Sequence, residues 1–228
     1  MVIRAITSTK KVRNQKWVFL ESFVLTALIF GMGVALGFFI ESWRMDNLKE
    51  IYTNAEIDLL DLKLQGELFE SLGVDCKIAI QENIAFADRV FEEAKMLDRY
   101  EEAQRLSEAL TIQHKKYDLL RVTFWVNSMK IKEKCDADYR NVIYFYQYIE
   151  PSLEKKAKQA VFSKMLEELK IEKGSEIMLI PIAGDINSTS IELLRNMYGI
   201  DELPTILIDE KIKITEINDF SELLELVG

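Results

Sequence analysis

From Ser22 to Ile40 the chain reads SFVLTALIFGMGVALGFFI, nineteen residues without a charge. At 1.5 Å rise per residue such a helix spans about 28 Å, close to the ~30 Å hydrocarbon core of a bilayer. Trp17 and Trp43 flank it at the depth where indole rings partition, and Glu21 and Glu41 mark its ends. A cleaved secretory signal has a shorter apolar region, about 7–15 residues, closed by a small-x-small site. Here the stretch runs into Phe38, Phe39 and Ile40. The pattern predicts an uncleaved signal anchor, a transmembrane helix over 17–43, with the buried helix of a soluble protein as the competing reading. Residues 1–16 form a basic tail with Arg4, Lys10, Lys11, Arg13 and Lys16 and no acid, whereas charges just beyond the span nearly cancel. Positive-inside bias then predicts a single-pass protein of the cell membrane with a cytoplasmic N-terminus and extracytoplasmic C-terminal domains. The lipid membrane is its first partner. Gly33 and Gly37 lie four residues apart in the span, a spacing that lets two helix backbones approach and permits a homodimer. The general frequency of glycine in membrane helices is the favoured reading of both.

The remaining composition narrows the function classes. Three prolines and nine glycines in 228 residues favour long helices over an all-β sandwich. A net charge of −9 provides no basic footprint, so no nucleic-acid partner is expected. One histidine and two cysteines exclude a Cys/His zinc finger or a four-cysteine cluster within one chain. No catalytic residue, metal site or cofactor is expected.

Residues 44–135 read as an all-α, three-helix antiparallel stalk. Leu48, Tyr52, Ala55, Leu59, Leu62, Gly66 and Phe69 recur at alternating spacings of four and three, a coiled-coil seam. Gly73 ends that helix and Asp75 caps the next, whose expected stripe is Cys76, Ile80, Ile84, Ala87, Phe91 and Ala94. Asp98-x-x-Glu101 resembles a capping box opening a third helix, with Ala103, Leu106, Leu110, Tyr117, Leu120 and Phe124 inward. Glu101, Glu102, Arg105, Lys115 and Lys116 read as the solvated face, with His114 among them as a surface histidine. Thr123 to Val126 reads as core. Cys76 and Cys135 lie at the ends of helices two and three, where thiols outside the cytoplasm oxidise. Against a bridge, helix two rises about 32 Å from 76 to 97 while helix three rises about 54 Å from 99 to 135. A structural disulfide and two buried free thiols both remain open.

In residues 136–228 the period changes. Val142 to Tyr146 is a dense β-branched and aromatic run. Pro151 stands at a helix start, and Leu153 to Ile171 is helical until Gly174. Ile177 to Ala183 is a second strand, Thr189-x-x-Glu192 caps a short helix to Tyr198-Gly199, and Leu203 to Asp209 is a third strand. Glu210-Lys211 turns into Ile212-Lys213-Ile214, and Phe220 to Val227 is a last helix. The order is βαβαββα, an α/β domain. Asn187-Ser188-Thr189 is a glycosylation sequon, usable outside the cytoplasm of a glycosylating host, and equally a helix-cap cluster.

This order, with Tyr198-Gly199-Ile200 followed by Leu203-Pro204-Thr205, resembles the thioredoxin-like fold over about two-fifths of the chain. The resemblance implies a cis proline at Pro204 facing a loop between the first strand and first helix. Active members carry Cys-x-x-Cys in that loop, where the helix N-terminus lowers the thiolate pKa. Here it reads Tyr148-Ile149-Glu150-Pro151-Ser152, with Ile149 and Ser152 at the cysteine positions. Without a thiol there is no dithiol exchange. The implied function is a redox-inactive module that binds an unknown protein or peptide partner, or acts as a scaffold. Its groove would be lined by Ile149, Glu150, Ser152, Leu203, Pro204 and Thr205. Two alternatives stand beside it: a non-standard oxidoreductase using Cys76 and Cys135, and a coiled-coil membrane assembly protein.

Overall fold

The computed structural model describes residues 15–73, 75–101, 108–217 and 219–228. Arg4, Lys10, Lys11, Arg13, Ala103 and Leu106 lie outside the described residues. The chain divides into two units, residues 1–47 and 48–228. In the first, an apolar helical segment, Lys16–Ile40, has a mean hydropathy of 2.4 and none of it is buried. It is long and apolar enough to cross a membrane, as an anchor or a signal segment would be.

Helix α1 is Gln15–Leu72, α2 is Cys76–Glu101 and α3 is Glu108–Cys135. The seam read on α1 is the buried one, with Tyr52, Ala55, Leu62 and Phe69 all below one-tenth exposed. Gly73 follows at φ +66°, and the Asp75 carboxylate accepts from the backbone amides of Lys77 (2.7 Å) and Ile78 (3.4 Å). The expected capping box is not one: Asp98 lies inside α2, which continues to Glu101. The overshoot expected at Cys135 does not occur: the Cα atoms of Cys76 and Cys135 lie 5.4 Å apart. The buried stripe of α2 is also rotated from the expected one. It runs through Ala79, Asn83, Ala87, Val90 and Leu97, while Ile80, Ile84 and Phe91 are half-buried. A buried asparagine explains the difference: Asn83 donates to Ser128 Oγ at 3.1 Å, and an apolar count passes over such a position.

The C-terminal part is a mixed four-stranded sheet with helices. Strand β1 is Arg140–Tyr146, α4 is Leu153–Lys173, β2 is Ile177–Ala183 and α5 is Thr189–Tyr198. Then come β3, Thr205–Ile208, β4, Ile212–Ile214, and α6, Phe220–Val227. The strand order is β2-β1-β3-β4; β1 and β2 are parallel, and the other two pairings are antiparallel. Helix α4 begins at Leu153 as expected, and the cap of α5 shifts by one residue, from Thr189 to Ser188. Ser152, the residue after Pro151, caps α4, its hydroxyl accepting from Lys155 N at 3.2 Å.

Alternation along the strands divides the core between two faces. Val142, Tyr144, Leu179, Ile206 and Ile208 pack with Phe162, Leu166 and Leu169 of α4 and Leu223 of α6. Asn141 and Phe145 turn the other way to meet α3: the Phe145 and Trp125 rings lie 6.0 Å apart, and Ser128 donates to Asn141 Oδ1 at 2.7 Å. Helix α3 is thus covered by α1, α2 and the sheet. That position overturns the expected surface histidine: His114 is 4% exposed, and Asp118, Arg121, Asn127 and Ser128 are buried with it. Trp125 and Phe124 are core, as expected.

Candidate functional site

Three loops meet at one end of the sheet. Because β1 and β2 are parallel and β3 runs back against β1, the segments leaving β1 and β2 and the one entering β3 lie together. Asp185 holds the first, its two carboxylate oxygens accepting from Tyr148 N (2.8 Å) and Ile149 N (2.9 Å). Gly184 donates its amide to Tyr146 O, and a Cβ there would lie 2.8 Å from a terminal methyl of Leu203, so a larger residue requires that side chain to shift. Arg195 ties the second and third loops, donating to Gly184 O at 2.8 Å and Ile200 O at 3.1 Å. The Leu203–Pro204 bond is cis.

The six residues expected to line a groove fall on these loops but differ in availability. Ile149 is 44% exposed, and Glu150 is exposed at φ +42°. The Ser152 hydroxyl is committed to its cap. Leu203 is half-buried, while Pro204 and Thr205 are buried, with Thr205 Oγ1 donating to Glu202 O at 2.6 Å. Of the six, the exposed residues are therefore Ile149, Glu150 and Ser152.

Beneath Tyr148 lies a buried polar cluster that sequence reasoning missed. The His114 ring stacks on the Tyr148 ring at 4.0 Å between centroids, and its Nε2 lies 2.8 Å from the Tyr146 hydroxyl. His114 Nε2 is also 3.4 Å from Asp118 Oδ2, which accepts from Ala183 N at 3.3 Å. Asp118 Oδ1 accepts from Arg121 NH1 at 3.0 Å, and the Arg121 guanidinium sits 4.2 Å over the Tyr117 ring. Burial pushes the Asp118 carboxyl above its ordinary pKa against the pull of His114 and Arg121. The available signal was spacing: positions 114, 118 and 121 share the face of α3 that also carries Tyr117. A cavity of about 550 Å³ opens beside the cluster, bounded by α2, α3, α4 and the β1–β2 side of the sheet.

The remaining sequence candidates are structural. Cys76 and Cys135 form a disulfide, joining the first residue of α2 to the last of α3. At Gly33 and Gly37 an added Cβ would meet nothing within 4 Å among the described residues. No family model matches this chain, and no curated protein matches it.

Proposed function

We propose that residues 136–228 form a thioredoxin-like module without dithiol chemistry, tethered to a membrane by the N-terminal helix and displayed outside the cytoplasm. There it engages an extended peptide or a protein surface at the sheet end carrying Ile149, Glu150 and Ser152. One observation carries this reading: the three loops converge on an end of the sheet that contains no cysteine. Both cysteines are joined to each other, and Cys135 precedes β1, about 20 Å of strand away from the loop that follows it. The βαβαββα order and the cis Pro204 beside that loop support the fold assignment. The disulfide supports an oxidising compartment, and the exposed apolar helix supports the anchor.

The test uses the full chain in lipid nanodiscs. Fluorescence anisotropy against a library of extended peptides is expected to identify binders that weaken at least tenfold in Ile149→Asp. An insulin-reduction assay is expected to show no turnover above background. Reductase turnover, or peptide binding indifferent to Ile149→Asp, overturns the proposal.

A further inference from the structure

The cavity beside the buried cluster lies on the edge-strand side of the sheet, where Pro181 of β2 pairs with Tyr144 of β1. Ion pairs close α2 onto α4 along one side: Asp88 with Lys170 at 2.8 Å and Glu167 with Lys95 at 2.6 Å. Its volume, about 550 Å³, falls in the range of small-molecule sites. One wall is aromatic: Tyr144, Tyr146 and Tyr148 line it, the first two stacked with ring centroids 5.7 Å apart. Arg121 lines the interior at 2% exposure, and its Nε has no hydrogen-bond partner among the described residues. A buried, unsatisfied guanidinium donor requires an acceptor.

Charge selects the acceptor. Of the charged residues lining the cavity, Arg121 is paired with Asp118 behind the wall and Lys95 with Glu167. At the rim Lys156 makes no ion pair among the described residues, and Lys164 has only Glu168 at 4.0 Å. The local balance is therefore modestly positive. One free Arg donor and a rim lysine suit a carboxylate, whereas a doubly charged phosphate buried here would lack enough donors. Flat tyrosine faces suit a planar apolar body.

We propose that this cavity binds a small aromatic monocarboxylate, with the carboxylate on Arg121 and the ring against the tyrosines. None of the six groove residues lines this cavity, and the proposal does not depend on the peptide-binding reading. The experiment is calorimetric titration of the full chain, in nanodiscs of zwitterionic lipid at pH 7, with 3-phenylpropionate, 3-phenylpropanamide, octanoate and inorganic phosphate. Saturable one-site binding of 3-phenylpropionate is expected, at least tenfold tighter than that of the other three. Arg121→Gln is expected to weaken it at least tenfold. Because that change alters a buried ion pair and risks unfolding, Ser163→Trp provides the second variant. Ser163 is exposed on α4 and lines the cavity mouth, so the indole blocks entry while the melting temperature stays unchanged. No saturable binding, equal binding of the amide, or full binding by Ser163→Trp overturns the proposal. Octanoate binding as tightly as 3-phenylpropionate overturns the aromatic assignment and points to a lipid-derived acid.

Discussion

Asp118 and Asp209 are two aspartates whose environments act in opposite directions. Asp118 is wholly buried, and burial raises its pKa despite Arg121 and His114. Replacing it with Asn leaves the Arg121 charge buried without its counter-ion, so urea unfolding of Asp118→Asn at pH 7 is expected to show a loss of about 3–5 kcal/mol. Burial also acts on Asp209, but it is outweighed by hydrogen bonds from Lys132 (2.5 Å), Arg140 (2.8 Å) and Asn141 N (2.9 Å), which hold the carboxyl below its ordinary value. A depressed carboxylate contributes stability above its unfolded pKa and loses it as pH falls through the folded one. Asp209→Asn is therefore expected to cost about 1–3 kcal/mol at pH 7. The gap from the parent should close as pH drops below about 4. A gap that persists at pH 2 would show that geometry, not charge, is what Asp209 supplies. Neither environment could be inferred from the residue type: Asp118 is buried by the elements packed on α3, and Asp209 takes its partners from α3 and β1.

At the scale of elements, α3 is held on both sides by specific contacts. On the α1 side, a Cβ at Gly66 would lie 2.7 Å from Asn127 Oδ1, while Asn127 Nδ2 donates to Leu62 O at 2.7 Å. Gly66→Ala displaces that amide and is expected to cost about 1–3 kcal/mol in denaturant melts; an Asn127→Ala background should shrink the effect, since the obstructing atoms are gone. On the α2 side the disulfide closes a loop with a sequence separation of 59. Replacing Cys76 and Cys135 together by Ser is expected to lower stability by about 2–5 kcal/mol. A double variant as stable as the parent would assign the bridge a role other than stability. Disulfide-substrate turnover that vanishes in Cys76→Ala would instead establish the oxidoreductase alternative.

At the scale of the whole chain, the proposed topology predicts that protease added to right-side-out vesicles digests the part beyond residue 43; complete protection would reverse the orientation. The apolar helix was legible without a structure because a nineteen-residue uncharged run is a local property of the sequence. So were the α1 seam and the βαβαββα order, since burial on one face imposes a fixed period on each element. The α2 stripe was only half legible, because Asn83 is buried by a partner, Ser128, that lies 45 residues away. His114 shows the same limit more fully. Among Gln113, Lys115 and Lys116 it reads as surface, yet α3 is enclosed by other elements and turns His114, Asp118 and Arg121 inward. Sequence alone determined the elements, the apolar span and the missing cysteines of the β1–α4 loop, because these depend on neighbouring residues. Only tertiary structure decided the disulfide, the cavity and the burial of the charges on α3, because each depends on distant segments being brought within a few ångströms.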